Sequence, residues 1–205
     1  MPTEMMLALA GFAFVASITP GPNNIMLMTS GVNFGFLRTL PHMTGVAVGF
    51  DTMLLLVGFG IGQAIEARPV LGLALKVASV VYLLWLAYKI ARAGPVGGGG
   101  EEGRPMTFLQ AAAFQWVNPK AWAMALTASA AYVPADGYPI GLILMVLVFG
   151  MVNLPCIACW TGFGVTLRQM LRDPVRVRVF NVAMAALLVA SLWPIATELW
   201  RLARP

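Results

Sequence analysis

Ile18-Thr19-Pro20-Gly21-Pro22-Asn23-Asn24 interrupts an apolar run that starts near Met5 and resumes to about Thr29. Proline has no backbone donor and crowds the turn before it, so two prolines around a glycine halt helical hydrogen bonding for roughly a turn. In hydrocarbon the freed backbone groups cost several kcal/mol each unless protein or water satisfies them. A second interruption, Gln115-Trp116-Val117-Asn118-Pro119-Lys120, lies inside another long apolar run. Broken helices at corresponding places in two halves of a membrane chain point to a transport site.

The composition agrees. Of 205 residues, 60% are hydrophobic and only 10% charged, with a mean hydropathy of +0.82. A soluble domain needs roughly 25% charge for its surface. Apolar stretches of about 20 residues recur, as membrane spans require. The net charge of +5 sits in the connecting segments, so it reports orientation and contact with lipid rather than nucleic acid. The first run follows Glu4 with no basic residue before it, which suits a retained span better than a cleaved leader.

Six spans are expected at about 5–29, 42–62, 70–91, 107–132, 138–163 and 179–200. The Gly/Pro stretch 94–105 separates a first half, 1–93, from a second, 106–205, within one membrane domain; its glycines, prolines and charges predict a flexible cytoplasmic linker. Three spans per half is odd, so homologous halves would be inverted, with the broken spans 1 and 4 opening each. The expected fold is therefore all-α and polytopic. Arg38, Lys89, Arg92, Arg104, Arg168, Arg172, Arg176 and Arg178 follow spans 1, 3 and 5, whereas Arg68, Arg201 and Arg204 lie opposite. Eight against three puts the first group in the cytoplasm and both termini outside. A five-span arrangement is the alternative count.

The break chemistry defines a candidate substrate site. Thr19, Pro20, Gly21, Pro22 and Asn23 offer freed carbonyls and polar side chains. A helix restarting near Asn23 would turn its N–H groups, and the positive end of its dipole, toward the gap, which suits a carboxylate. The plainer alternative is a packing kink, since proline is common in membrane helices. Asn118, Pro119 and Lys120 form the partner break. Lys120 lies too deep in its span for its stem to reach the headgroups, so an inward-facing charge is expected over a snorkelling one. Asn153-Leu154-Pro155 is expected to break span 5, with Asn153 as a third polar wall.

Asp51 falls near the middle of span 2, on a stripe with Thr44, Ala47, Gly58 and Gly62. Lys76 of span 3 is its candidate partner, either in a structural ion pair or in proton coupling; both readings stand. His42 is expected at the interface rather than in chemistry. Cys156 and Cys159 form a C-x-x-C, but without a βαβ context they read as small packing residues. No catalytic pair, metal cluster or phosphate loop stands out, so neither an enzyme nor a cofactor is expected.

Ile18 to Asn23, Gly45 with Gly49, Tyr82-Leu83 with Trp85-Leu86-Ala87-Tyr88-Lys89, and Asn118-Pro119-Lys120 resemble, in order and over essentially the whole chain, the LysE/RhtB family of bacterial amino-acid exporters. The resemblance implies a multi-pass inner-membrane carrier for an amino acid or close derivative, driven by the proton gradient, with lipid as its other contact and room for a homo-oligomer. Thr19–Gly35 looks most like the cysteine and O-acetylserine exporter branch. Two alternatives come with it. Transmembrane thiol–disulfide electron carriers are distant relatives with a cysteine near the proline of each half, but here both cysteines sit in span 5. Metal-ion efflux would want more than one histidine and one mid-membrane aspartate.

Overall fold

Pro20-Gly21-Pro22 does end one helix and begin the next. The structure is a computed structural model that describes residues 1–93, 104–133, 138–171 and 173–202, the side chains of Glu66 and Leu202 excepted. Helix α1 (Thr3–Ile18) gives way at Thr19 to extended backbone, and α2 (Pro22–Phe34) restarts with proline in its first turn, bent by 55° from α1. Helix α3 (Phe36–Leu56) follows across Gly35, whose φ of 81° is left-handed and open to glycine at little cost. It continues through a π-helical turn, Val57–Ile61, into α4 (Gly62–Glu66), with Gly60 at φ 104°.

Helix α5 (Pro69–Arg92) ends the first half. Most of the expected linker, residues 94–103, lies outside the described residues. Thr107 and Gln110 then start α6 (Phe108–Phe114) with a capping box, each side chain bonding the other's backbone N–H. A 3₁₀ turn, Gln115–Val117, and Asn118 separate it from α7 (Pro119–Tyr132). Helices α8 (Tyr138–Met170), α9 (Pro174–Ala190) and α10 (Trp193–Leu202) complete the chain.

Among the described residues the elements are helical, and four helical stretches are long and apolar enough to cross a membrane: Phe36–Ile65, Pro69–Arg92, Tyr138–Met170 and Pro174–Arg201. The bent pair α1 and α2 makes a fifth if it counts as one span. The expected span 107–132 is cut into pieces of 7, 3 and 14 residues, none long enough alone. Large apolar side chains such as Val70, Ile140, Leu147, Met151 and Val179 point outward. In water such a surface would be an aggregation liability, whereas lipid tails are its natural solvent.

Asn153-Leu154-Pro155 does not break its span, correcting the expectation: α8 runs through Pro155 without interruption, as α3 runs through Pro41. A lone proline removes one hydrogen bond, and a helix packed along much of its length absorbs that loss. Proline-glycine-proline removes donors on both sides of a residue with no side chain to pack, so the helix ends.

Close packing sets the breaks facing one another. A Cβ on Gly31 would stand 2.3 Å from the Thr161 carbonyl oxygen, and one on Gly164 would stand 2.1 Å from that of Met28, so α2 and α8 touch backbone to backbone. Gly45 and Gly49 do the same for α3 against Phe108 and Ala112 of α6. One core cluster joins Leu9, Phe50, Met53 and Phe149; another joins Leu83, Leu86, Leu188 and Ile195. A third, smaller one (Leu27, Met43, Val46, Ala111 and Ile157) lies beside the breaks.

Candidate functional site

The two interruptions, almost a hundred residues apart in sequence, are hydrogen-bonded to each other. Lys120 Nζ donates to the carbonyl oxygen of Thr19 at 2.7 Å, to Thr19 Oγ1 at 2.9 Å and to the Pro20 carbonyl at 3.4 Å. In return Asn23 Nδ2 donates to Gln115 Oε1 at 2.8 Å, and Gln115 Nε2 donates to Asn23 Oδ1 at 3.2 Å. Gln115 Nε2 also donates to the Ala111 carbonyl at 2.9 Å. Gln115 is fully buried, which fixes this amide pair in place.

The remaining freed carbonyls of the first break are met one by one. Asn24 Nδ2 donates to the Ser17 carbonyl at 2.7 Å and to that of Thr19 at 2.8 Å. Trp160 Nε1, from α8, donates to the Ile18 carbonyl at 3.2 Å. A buried carbonyl without a partner costs about 1–3 kcal/mol, so this set of donors is what lets the chain unwind inside the protein. The second break is closed more locally. Asn118 Oδ1 accepts from the backbone N–H of Lys120 at 3.1 Å as the cap of α7, and Trp122 Nε1 donates to the Trp116 carbonyl at 2.8 Å.

A small cleft opens between the breaks. Ser17, Gly21, Asn23, Asn118, Lys120 and Asn153 line it, with Val46 and Phe50 as its apolar wall. Pro22 and Pro119 each occupy the first turn of a helix, so α2 and α7 both begin beside it and contribute the positive ends of their dipoles. Lys120 adds a charge that its carbonyl partners bond but do not neutralise. Gly21 lies under the Lys120 stem: a Cβ there would stand 2.7 Å from Lys120 Cδ and would have to displace that flexible side chain. Ser17 Oγ is buried and has no hydrogen-bond partner.

Of the candidate residues, Thr19, Pro20, Gly21, Pro22, Asn23, Asn118, Pro119 and Lys120 are thus brought together, and Asn153 reaches the same cleft from an unbroken helix. Asp51 and Lys76 are not. Lys76 is ion-paired with Glu198 of α10, so the Asp51–Lys76 pair is corrected: the expected neighbour of Lys76 was on span 2, but α5 packs along α9. Asp51 instead lies against Gly150 of α8, where an added Cβ would stand 2.7 Å from Asp51 Oδ2, and its Oδ1 is buried with no partner.

His42, in the second turn of α3, is buried among protein atoms at 2% exposure. Sequence reading passed over Gln115, Asn24 and Ser17 as individual site residues. The first two stood within the quoted motifs, and their value lay in amide groups able to satisfy a freed backbone. Ser17 showed no signal beyond proximity. Among the described residues, no three His, Cys, Asp or Glu side chains come together as a metal site would need. Cys156 and Cys159 are free thiols on α8, and neither break carries a cysteine.

Known proteins resemble this chain over nearly its full length. The cysteine/O-acetylserine efflux protein of Escherichia coli (strain K12) is 30% identical over 197 residues, covering 92% of this chain and 96% of its own. That of Klebsiella pneumoniae is 28% identical over 199 residues, covering 97% and 100%. That of Shigella flexneri is 31% identical over 186 residues, covering 87% and 90%. No solved structure matches the chain. The LysE type translocator family matches residues 14–191, spanning both breaks and the helices between them, and the chain belongs to this family of membrane transporters.

Proposed function

We propose that this protein exports a small amino acid or amino-acid derivative, of the cysteine or O-acetylserine kind, across the bacterial inner membrane, and that the cleft between the helix breaks is where the substrate sits. The observation that carries the reading is the reciprocal bonding of the breaks around a polar cleft in an otherwise apolar molecule. The names of the full-length relatives support the substrate class. The carboxylate of the substrate is assigned to the helix starts at Asn23 and Asn118, beside Lys120. Its ammonium group is assigned to the carbonyl and amide oxygens of Ser17 and Asn153. In this reading α1 with α2, and α6 with α7, each form one broken span of a six-span inverted repeat, and the substrate passes between the two halves.

Proton coupling is assigned to Asp51, whose buried, unpartnered Oδ1 is costly as a charge and cheap as an acid. Loading and unloading a proton there would link the cleft's accessibility to the gradient. Vesicles turned inside out and carrying only this transporter should accumulate labelled cysteine or O-acetylserine from a panel of labelled amino acids; accumulation of none of them overturns the reading. A reporter active only outside the cytoplasm should be silent when fused after Gly100 and active after Pro205, with the reverse pattern sinking the orientation.

A further inference from the structure

A second, larger cleft lies between α2, α3, α5 and the start of α6, and nothing above uses it. Ser30 and Asn33 of α2, His42 of α3, and Tyr82 and Lys89 of α5 line it together with Arg104. The polar side chains of α2 there are bonded within the protein: Ser30 Oγ to Thr39 Oγ1 at 2.9 Å, and Asn33 Nδ2 to Asn181 Oδ1 at 3.1 Å. His42 is not. Both of its ring nitrogens are buried and neither has a hydrogen-bond partner. A neutral imidazole holds one donor and one acceptor, and leaving both unmet inside a protein needs an explanation. Lys89 and Arg104 bring positive charge to the mouth, Lys89 Nζ lying 4.7 Å from the centre of the Trp85 ring, and no carboxylate is among the described residues that line the cleft.

The helix faces connect this cleft to the first. On α3, His42 lines one cleft while Val46 and Phe50, one and two turns on, line the other. On α2, Asn23 lines one, and Met26, Ser30 and Asn33 line the other along the same stripe. Between them lies the small apolar cluster of Leu27, Met43, Val46, Ala111 and Ile157, all buried. The two cavities therefore follow one another along shared helix faces, with buried apolar side chains of this cluster, Val46 and Ile157 among them, on the wall of the first.

We propose that this second cleft is a reception site for the zwitterionic substrate on the side carrying Lys89 and Arg104, with His42 as its buried hydrogen-bonding group and Lys89 and Arg104 drawing the carboxylate. It rests on the export reading above. The apolar cluster is then the barrier the substrate passes to reach the helix breaks, so that the structure holds a closed state between two separate stations.

The test uses full-length protein in phosphatidylcholine nanodiscs, where both faces are accessible. Met106, a wall residue of the cleft, is replaced by cysteine in a background lacking Cys156 and Cys159, and its rate of reaction with a polar thiol reagent is followed while O-acetylserine is added. Protection is expected, and it should persist when Lys120→Met disables the other cleft. In His42→Gln and in Lys89→Gln, half-protection should need about tenfold more O-acetylserine, the effect of losing one polar or charged contact. Lys89 is exposed at the rim, so its variant reports even where a buried change at His42 impairs folding. Unchanged protection in both variants, or protection that vanishes with Lys120→Met, overturns the assignment. Shielding that follows added phosphatidylglycerol instead of O-acetylserine makes the site a lipid headgroup pocket and also overturns it. Transport of O-acetylserine by the same protein without any protection sinks the second site alone, whereas absence of both sinks the export reading with it.

Discussion

The two helix breaks solve one problem in opposite ways. At the second, Asn118 caps α7 from within the break and Trp122 reaches back one turn to the Trp116 carbonyl, so local sequence closes it. At the first, Asn24 bonds the Ser17 and Thr19 carbonyls from nearby, but the other partners come from further off: Trp160 from α8 and Lys120 from the second break itself. The first break therefore depends on the second much more than the second depends on the first. A self-capped helix start can move as a unit; a gap held open by distant donors exists only while those donors are in place. That asymmetry suits a site that must assemble and come apart as access changes sides.

The largest expected effect breaks the comparison directly. Lys120→Met keeps the stem that packs on Gly21 but removes the donor to three oxygens of the first break. The Thr19 carbonyl keeps Asn24 as a donor, but the Pro20 carbonyl loses its side-chain partner and the cleft loses the charge assigned to the substrate carboxylate, so transport by Lys120→Met should fall at least about tenfold, with a lowered melting temperature. Asn118→Ala removes only a cap, about 1 kcal/mol, and should leave transport readily measurable. Equal damage from the two variants, measured as O-acetylserine uptake into vesicles, would erase the asymmetry.

Asp51→Asn comes next. The change keeps shape and removes the titrating group, so substrate–substrate exchange should continue while accumulation driven by a proton gradient is lost. Neither break contacts Asp51 among the bonds described, so binding at the cleft should survive. Gradient-driven accumulation at the normal rate would take Asp51 out of the mechanism.

A smaller effect measures how tightly the breaks are tied. Asn23 and Gln115 exchange two amide hydrogen bonds across the halves. Asn23→Ala and Gln115→Ala, alone and combined, should show a coupling of about 1–2 kcal/mol in thermal or denaturant unfolding. Additive losses would mean that the amide pair is incidental and that Lys120 alone joins the two breaks.

How far these features were legible in sequence follows from their physics. Pro20-Gly21-Pro22 announces a break because proline acts on its own backbone, whatever surrounds it. Pro155 announced one wrongly, because whether a single lost hydrogen bond bends a helix depends on its neighbours, here a long packed α8. Spans 70–91 and 138–163 were readable from apolar length alone and appear as α5 and α8 with shifted ends. What length could not show was partnership. Lys76 and Asp51 are both charged and both in spans, yet which charge meets which depends on helix packing, and α10 brought Glu198 to Lys76. The burial of His42 was hidden for a similar reason: what covers a side chain near a helix start depends on the elements packed against it.

The smallest expected effect contrasts Lys120 with Lys76. Lys120 bonds backbone oxygens at a break that other parts of the molecule depend on. Lys76 meets only Glu198, at a site where the two side chains are 35% and 52% exposed. Lys76 also lies seven residues into α5, about 10 Å from its start, a depth its four-carbon stem can largely cover by snorkelling. An exposed pair of this kind contributes about 0–1 kcal/mol. Glu198→Gln should therefore change the unfolding free energy by less than about 1 kcal/mol, and transport should stay within about twofold of the parent. The double change Lys76→Met with Glu198→Gln should behave the same way, since no buried charge is left behind in either variant. A loss of transport in Glu198→Gln comparable to that of Lys120→Met would mean that the Lys76 pair, and not the cross-braced breaks, holds the charge on which the cycle turns.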